Sequence, residues 1–168
     1  MSKVGEEGRS YLSLEPEDLE RLAQIAIRDR EDFFERYPEW AEAYADRVLC
    51  VALCQGGAQH HIDGKTGIND FDIYTFYRKN PRKRWYAKRL KAYDYGDGKF
   101  GQSLDQPDWV GRRVDCMARA IEADEGEDVI PALQRYLREG SSETARLLAQ
   151  KAVVLLDPDC GTVPWPME

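Results

Sequence analysis

From Pro16 onward, apolar residues recur at three- and four-residue steps: Leu19, Leu22, Ala23, Ala26, then Phe33 and Phe34. That period predicts an amphipathic helix. Pro16 suits its first turn, and Glu17, Asp18 and Glu20 complement the positive end of the helix dipole. Tyr37-Pro38 interrupts the pattern, because a proline ring disfavours helical backbone at the residue before it. Pro38 to Asp46 is expected to add another turn or two. The period then changes. Val48 to Leu53 (VLCVAL) is a continuous apolar run leading to Gly56-Gly57, which reads as a buried strand and a tight turn.

A short helix is expected from about Ala58 to Ile62, followed by a glycine-containing loop (DGKTGIN). Phe71 to Tyr77 (FDIYTFY) is rich in β-branched and aromatic residues and predicts a strand. Arg112 to Ala118 fits a third strand. Two helices, near Val129–Arg138 and Glu143–Leu156, are expected to close the chain on either side of Gly140-Ser141-Ser142. Residues 1–12 read as a loose leader, Tyr93 to Gly101 as a loop or irregular hairpin, and the tail DPDCGTVPWPME as irregular. Helices at both ends of a small mixed central sheet make the fold α+β or α/β. With no internal repeat and no long linker, residues 1–168 form one domain, with a motif core over about 47–119 and helical flanks at 14–46 and 120–156.

Composition narrows the class. Apolar residues are 42% of 168, enough for a real core, which excludes a disordered tail. No apolar run approaches the ~18–20 residues that span a bilayer, and the polar N-terminus has no signal-peptide core, so a cytoplasmic location is expected. If Cys50 and Cys54 share a strand, their Cα atoms stand about 13 Å apart, too far for a disulfide. Zinc fits poorly, because there is no Cys-x-x-Cys pair and His60 and His61 are adjacent. Reduced thiols and packing histidines are expected instead.

The informative stretch is Leu53 to Phe76. Side chains two apart on a strand share a face, so Asp70 and Asp72 point the same way, about 6.5–7 Å apart. Such carboxylates repel unless a proton or a cation lies between them. Mg²⁺ (or Mn²⁺) suits them, because it takes a few protein oxygens and completes its shell with phosphates. Asp115, an isolated acid between Val114 and Cys116, offers a third carboxylate, and three can hold two metals about 3.5–4 Å apart. Gly56-Gly57 lets backbone N–H groups approach a polyphosphate at a helix N-terminus. Each feature has a plainer reading: a solvated strand edge for the pair, an ion pair with Arg112 or Arg113 for Asp115, and an ordinary strand–helix turn for the glycines.

Gln55-Gly56-Gly57, Asp70-Phe71-Asp72-Ile73 and Val114-Asp115-Cys116, in this order, resemble the motif of the DNA-polymerase-β-type nucleotidyltransferase superfamily. The resemblance implies metal-dependent transfer of a nucleoside monophosphate from an NTP to an acceptor hydroxyl on a small molecule, a protein or RNA. It implies that Asp70 and Asp72 bind metal and triphosphate, that Asp115 joins them and helps activate the acceptor, and that Gly56 and Gly57 meet the nucleotide. Gly57 stands where many members have serine. The short chain is similar to minimal members, which work as dimers or with a helical partner protein. The alternative is a catalytically silent protein of the same fold, acting as a toxin–antitoxin-like partner or an RNA-binding module. Competing motifs fail on spacing: a P-loop ending at Gly64-Lys65-Thr66 needs glycine where Gln59 stands.

Charge adds one further feature. The formal net charge is −7, yet residues 78–91 hold eight lysines and arginines and no acid, interleaved with Trp85 and Tyr86. Cations with aromatics are what phosphate binding and base stacking require, although a charge run is also an ordinary solvated face. Directly after the Asp-x-Asp strand, Arg82, Lys83 and Arg84 are expected to cradle a triphosphate or an RNA acceptor.

Overall fold

The amphipathic stripe at the start of the chain folds as α1 (Pro16–Arg36), with Leu19, Leu22, Ala23, Ala26 and Phe33 buried along one face. Pro38 then starts a separate short helix, α2 (Pro38–Tyr44). The structure, a computed structural model, describes residues 8–86 and 89–167. Its class is α+β. Among the described residues, α3 (Gln55–Asp63), α4 (Val129–Glu139) and α5 (Glu143–Leu148) complete the helices. The sheet comprises β1 (Val48–Cys54), β2 (Phe71–Arg78), β3 (Leu90–Asp94), β4 (Arg113–Ile121) and β5 (Val153–Asp157), in the spatial order β3-β4-β2-β1-β5. β2 and β4 run parallel, and every other neighbouring pair is antiparallel.

Two strands depart from the sequence expectation. The helix expected over Glu143–Leu156 stops at Leu148, and Val153–Asp157 is β5, paired with β1 through Cys54↔Val153 and Leu53↔Val154. Its four residues Val153 to Leu156 are all buried, so the strand shows no alternation and cannot be told from a buried helix turn by period. β3 lies in the stretch read as basic run and loop. It is a half-exposed edge strand, and its sequence LKAYD carries no apolar run.

Strand alternation divides the core between the two faces. Leu53, Phe71, Ile73, Val114, Val154 and Leu156 pack beneath α1 and α3. Cys54, Tyr74, Phe76, Ile121, Val153 and Leu155 pack beneath α4 and α5, through Leu133, Leu137 and Leu148. A third cluster, around Phe33, Trp40, Tyr44 and Tyr77, closes the end of the sheet where β2 finishes. Residues 1–7 of the expected leader lie outside the described residues, but residues 8–12 are not loose. Ser10 is buried and exchanges backbone hydrogen bonds with Ile68 at 2.8 and 2.7 Å. At the other end, the Thr162 and Trp165 carbonyls accept from Leu155 and Val153, which covers the outer edge of β5. Cys50, Cys54 and Cys116 are buried free thiols, whereas Cys160 is free and exposed.

Candidate functional site

The register of the sheet draws the motif residues into one row. Cys54 of β1 pairs with Asp72 of β2, and Asp72 pairs with Asp115 of β4. Paired residues on neighbouring strands project from the same face about 4.8 Å apart, so two carboxylates stand side by side. Asp70 is half-buried just before β2 rather than on it. Gly56 and Gly57 follow Cys54 closely and fall within the first turn of α3. Three pieces of the chain separated by long sequence intervals therefore meet at one end of the sheet.

The electrostatics of this end are strained by burial. Burial, followed by the Asp115 and Asp70 carboxylates, pushes Asp72 up to about 7; Arg113 and Lys151 oppose the shift. Burial and Asp115 raise Asp70 as well. Asp115 is itself buried and accepts a hydrogen bond from Arg113 Nε at 2.6 Å. This is the ion pair that sequence offers as the plainer reading of Asp115, and it raises the proton affinity of Arg113 in turn.

Arg112 plays a different part. It is buried and donates to the carbonyls of Phe100, Asn69 and Gly8 at 2.8, 3.2 and 2.6 Å, clamping the backbone that presents Asp70. Lys151 escapes sequence reading because it falls inside the overlong helix. Recognising Val153–Asp157 as a strand would have placed it at the approach to β5, beside the row.

Gly56 and Gly57 do not make the turn that sequence assigns them. The left-handed backbone belongs to Gln55, with φ 57°. A Cβ on Gly57 would stand 3.3 Å from the side chains of both Leu53 and Phe71, so this glycine lets α3 settle closely on β1 and β2. The N-cap, Cys54, makes no side-chain cap hydrogen bond. The first-turn N–H groups of α3 therefore keep their donor capacity at the positive end of the helix. His60 is a packing residue as expected: it is buried, with its ring nitrogens 2.8 Å from the Thr66 and Leu12 carbonyls.

Arg82, Lys83 and Arg84 are not brought to this site. β2 carries the chain from Asp72 to Arg78, about 20 Å at ~3.3 Å per residue, and the three cations follow its far end. The expectation that they cradle the same triphosphate is corrected by the direction of the strand. Lys88 of the basic run lies outside the described residues.

Asp70, Asp72 and Asp115 offer carboxylate oxygens at this end, the donor type that Mg²⁺ prefers. Among the described residues, no group of three or more His, Cys, Asp or Glu side chains stands close enough to hold a metal ion. The fit is therefore that of a site with one or two carboxylates that a substrate's phosphates would complete, the usual manner for Mg²⁺. No family model, curated protein or solved structure matches the chain. No helix among the described residues is long and apolar enough to cross a membrane.

Proposed function

We propose that the chain is a Mg²⁺-dependent nucleotidyltransferase that moves a nucleoside monophosphate from an NTP to an acceptor hydroxyl. The observation that carries this reading is the row Cys54–Asp72–Asp115, which sets two carboxylates beside the uncapped first turn of α3. The triphosphate would lie against the N–H groups of Gly56 and Gly57. Asp70 and Asp72 would hold the cation, whose chemistry here is neutralisation of phosphate charge. The acceptor oxygen attacks the α-phosphorus, pyrophosphate leaves, and the acceptor's proton passes to Asp115, which Arg113 positions. Asp72 supports the reading because burial and two neighbouring carboxylates push it up to about 7, a cost that a bound cation would relieve. The reading implies a cytoplasmic protein, alone, as a dimer or with a helical partner, whose acceptor is a small molecule, a protein or RNA.

One observation favours the alternative of a catalytically silent binding protein of the same architecture. Asp115 is already engaged by Arg113 at 2.6 Å, which leaves two carboxylates for metal. Incubation with each α-labelled NTP, Mg²⁺ and cell lysate separates the two. A labelled acceptor that disappears with Asp70→Asn/Asp72→Asn supports transfer. Nucleotide binding with no labelled species supports the silent protein, and no nucleotide binding contradicts transfer.

A further inference from the structure

The far end of β2 carries a second surface that the carboxylate end does not use. The chain leaves the strand at Arg78, and its path is pinned by hydrogen bonds. Asn80 Nδ2 donates to the Ala43 carbonyl at 2.9 Å, and its Oδ1 accepts from Arg82 N at 2.9 Å. Arg47 Nη1 donates to the Lys79 carbonyl at 2.9 Å, and the Tyr44 hydroxyl donates to the Lys83 carbonyl. Trp85 turns inward, with ring centroids 4.8 Å from Tyr77 and 5.1 Å from both Trp40 and Tyr44. Tyr86 turns outward. It is 68% exposed, and its ring meets that of Trp40 at 5.1 Å.

Five of the described cations of this run divide into two groups. Arg89 is bidentate on Asp29 at 2.8 and 2.7 Å, and Lys79 meets Glu122 at 3.3 Å, so both are taken up by the fold. Among the described residues, no carboxylate pairs with Arg82, Lys83 or Arg84. Arg82 and Arg84 are exposed, and Lys83 Nζ stands 4.5 Å over the Trp40 ring. A merely solvated face needs neither a pinned backbone nor an outward tyrosine beside three unpaired cations. The groove alongside, between α1 and β3, sets Asp29, Asp32 and Glu35 against Arg36, Arg89 and Lys91 and so adds no net attraction for a polyanion, unlike the loop.

We propose that residues 82–86 form a platform for single-stranded nucleic acid, with Arg82, Lys83 and Arg84 on backbone phosphates and Tyr86 stacking on a base. Single strands fit because a duplex keeps its bases stacked inside, out of reach of an exposed ring, whereas a splayed strand offers both phosphate and base face. The platform is independent of the carboxylate site, from which the length of β2 separates it.

Fluorescence anisotropy of labelled oligo-uridine and oligo-thymidine tests it. Binding is expected at low salt, with a log–log salt slope near −2, from about −0.7 for each of three phosphate contacts. Arg82→Ala/Arg84→Ala is expected to weaken binding at least about tenfold and flatten that slope. Tyr86→Ala is expected to weaken it about tenfold with the slope unchanged. Asp70→Asn/Asp72→Asn is expected to bind as the wild type does. Circular dichroism is expected to show that the surface variants keep the fold, since Arg82, Arg84 and Tyr86 are exposed. No binding at low salt, no loss in either surface variant, or preference for a matched duplex overturns the proposal. So does equal competition by polyglutamate or by phosphatidylserine vesicles, which would mark unselective attraction of polyanions.

Discussion

The two ends of β2 are built on opposite principles. At its beginning, half-buried Asp72, whose charge burial disfavours, stands in register with buried Asp115, which Arg113 pairs. At its end, cations stand in solvent over a tightly packed aromatic base of Trp40, Tyr44, Tyr77 and Trp85. Burial takes ionisable carboxylates at the first end, whereas at the second it takes aromatic rings and leaves Arg82 and Arg84 exposed. The comparison teaches that proximity in sequence misleads on a strand. The basic run directly follows the Asp-x-Asp strand, yet eight residues of extended chain carry it away from the carboxylates.

Several changes break or sharpen this contrast. The largest effect is expected for Asp70→Asn/Asp72→Asn, which should reduce nucleotidyl transfer on the order of a thousandfold, as charge-stabilising groups do, measured by label transfer. The same end governs pH behaviour. Asp72 binds its proton more tightly folded, near 7, than unfolded, near the ordinary 3.8. Its contribution to stability is therefore complete below about pH 4 and is lost as pH rises to about 7, on the order of 4 kcal/mol in total. Asp72→Asn should remove that decline in denaturant titrations between pH 4 and pH 8.

Trp85→Ala tests the other end. It should cost about 3 kcal/mol, because four rings lose their common neighbour, and thermal melts report it. Arg113→Gln should cost about 1–3 kcal/mol by leaving Asp115 unpaired. The smallest effect belongs to Arg82→Ala/Arg84→Ala. Stability should stay within about 0.5 kcal/mol and transfer should be unchanged. A large loss of transfer there would unite the two ends that the structure separates.

Much of the scaffold is legible in the sequence where the pattern is strong. The 3.6-residue stripe of α1, the apolar run of β1 and the aromatic, β-branched β2 each appear within a residue or two of expectation. Asp72 and Asp115 are visible because acids interrupt apolar strands, and Asp70 because it stands two residues before Asp72 at the strand's start. Their convergence is not visible, since it depends on β2 and β4 lying parallel and in register. β5 is hidden by its complete burial and β3 by its edge position, which leaves little apolar signal. The glycines show a subtler limit. Gly57 matters for the contact it permits with Leu53 and Phe71, whereas the left-handed turn falls on Gln55, a residue that sequence has no reason to single out.

The claim on which the rest depends is that Asp70 and Asp72 hold a divalent cation together with a nucleotide. Electron paramagnetic resonance of Mn²⁺, titrated with protein in the presence of each NTP, reads that directly. Wild-type protein is expected to remove free Mn²⁺ signal in a saturable, NTP-dependent manner, and Asp70→Asn/Asp72→Asn to leave it free. Undiminished Mn²⁺ binding by the double variant, or none by the wild type with any NTP, would contradict it.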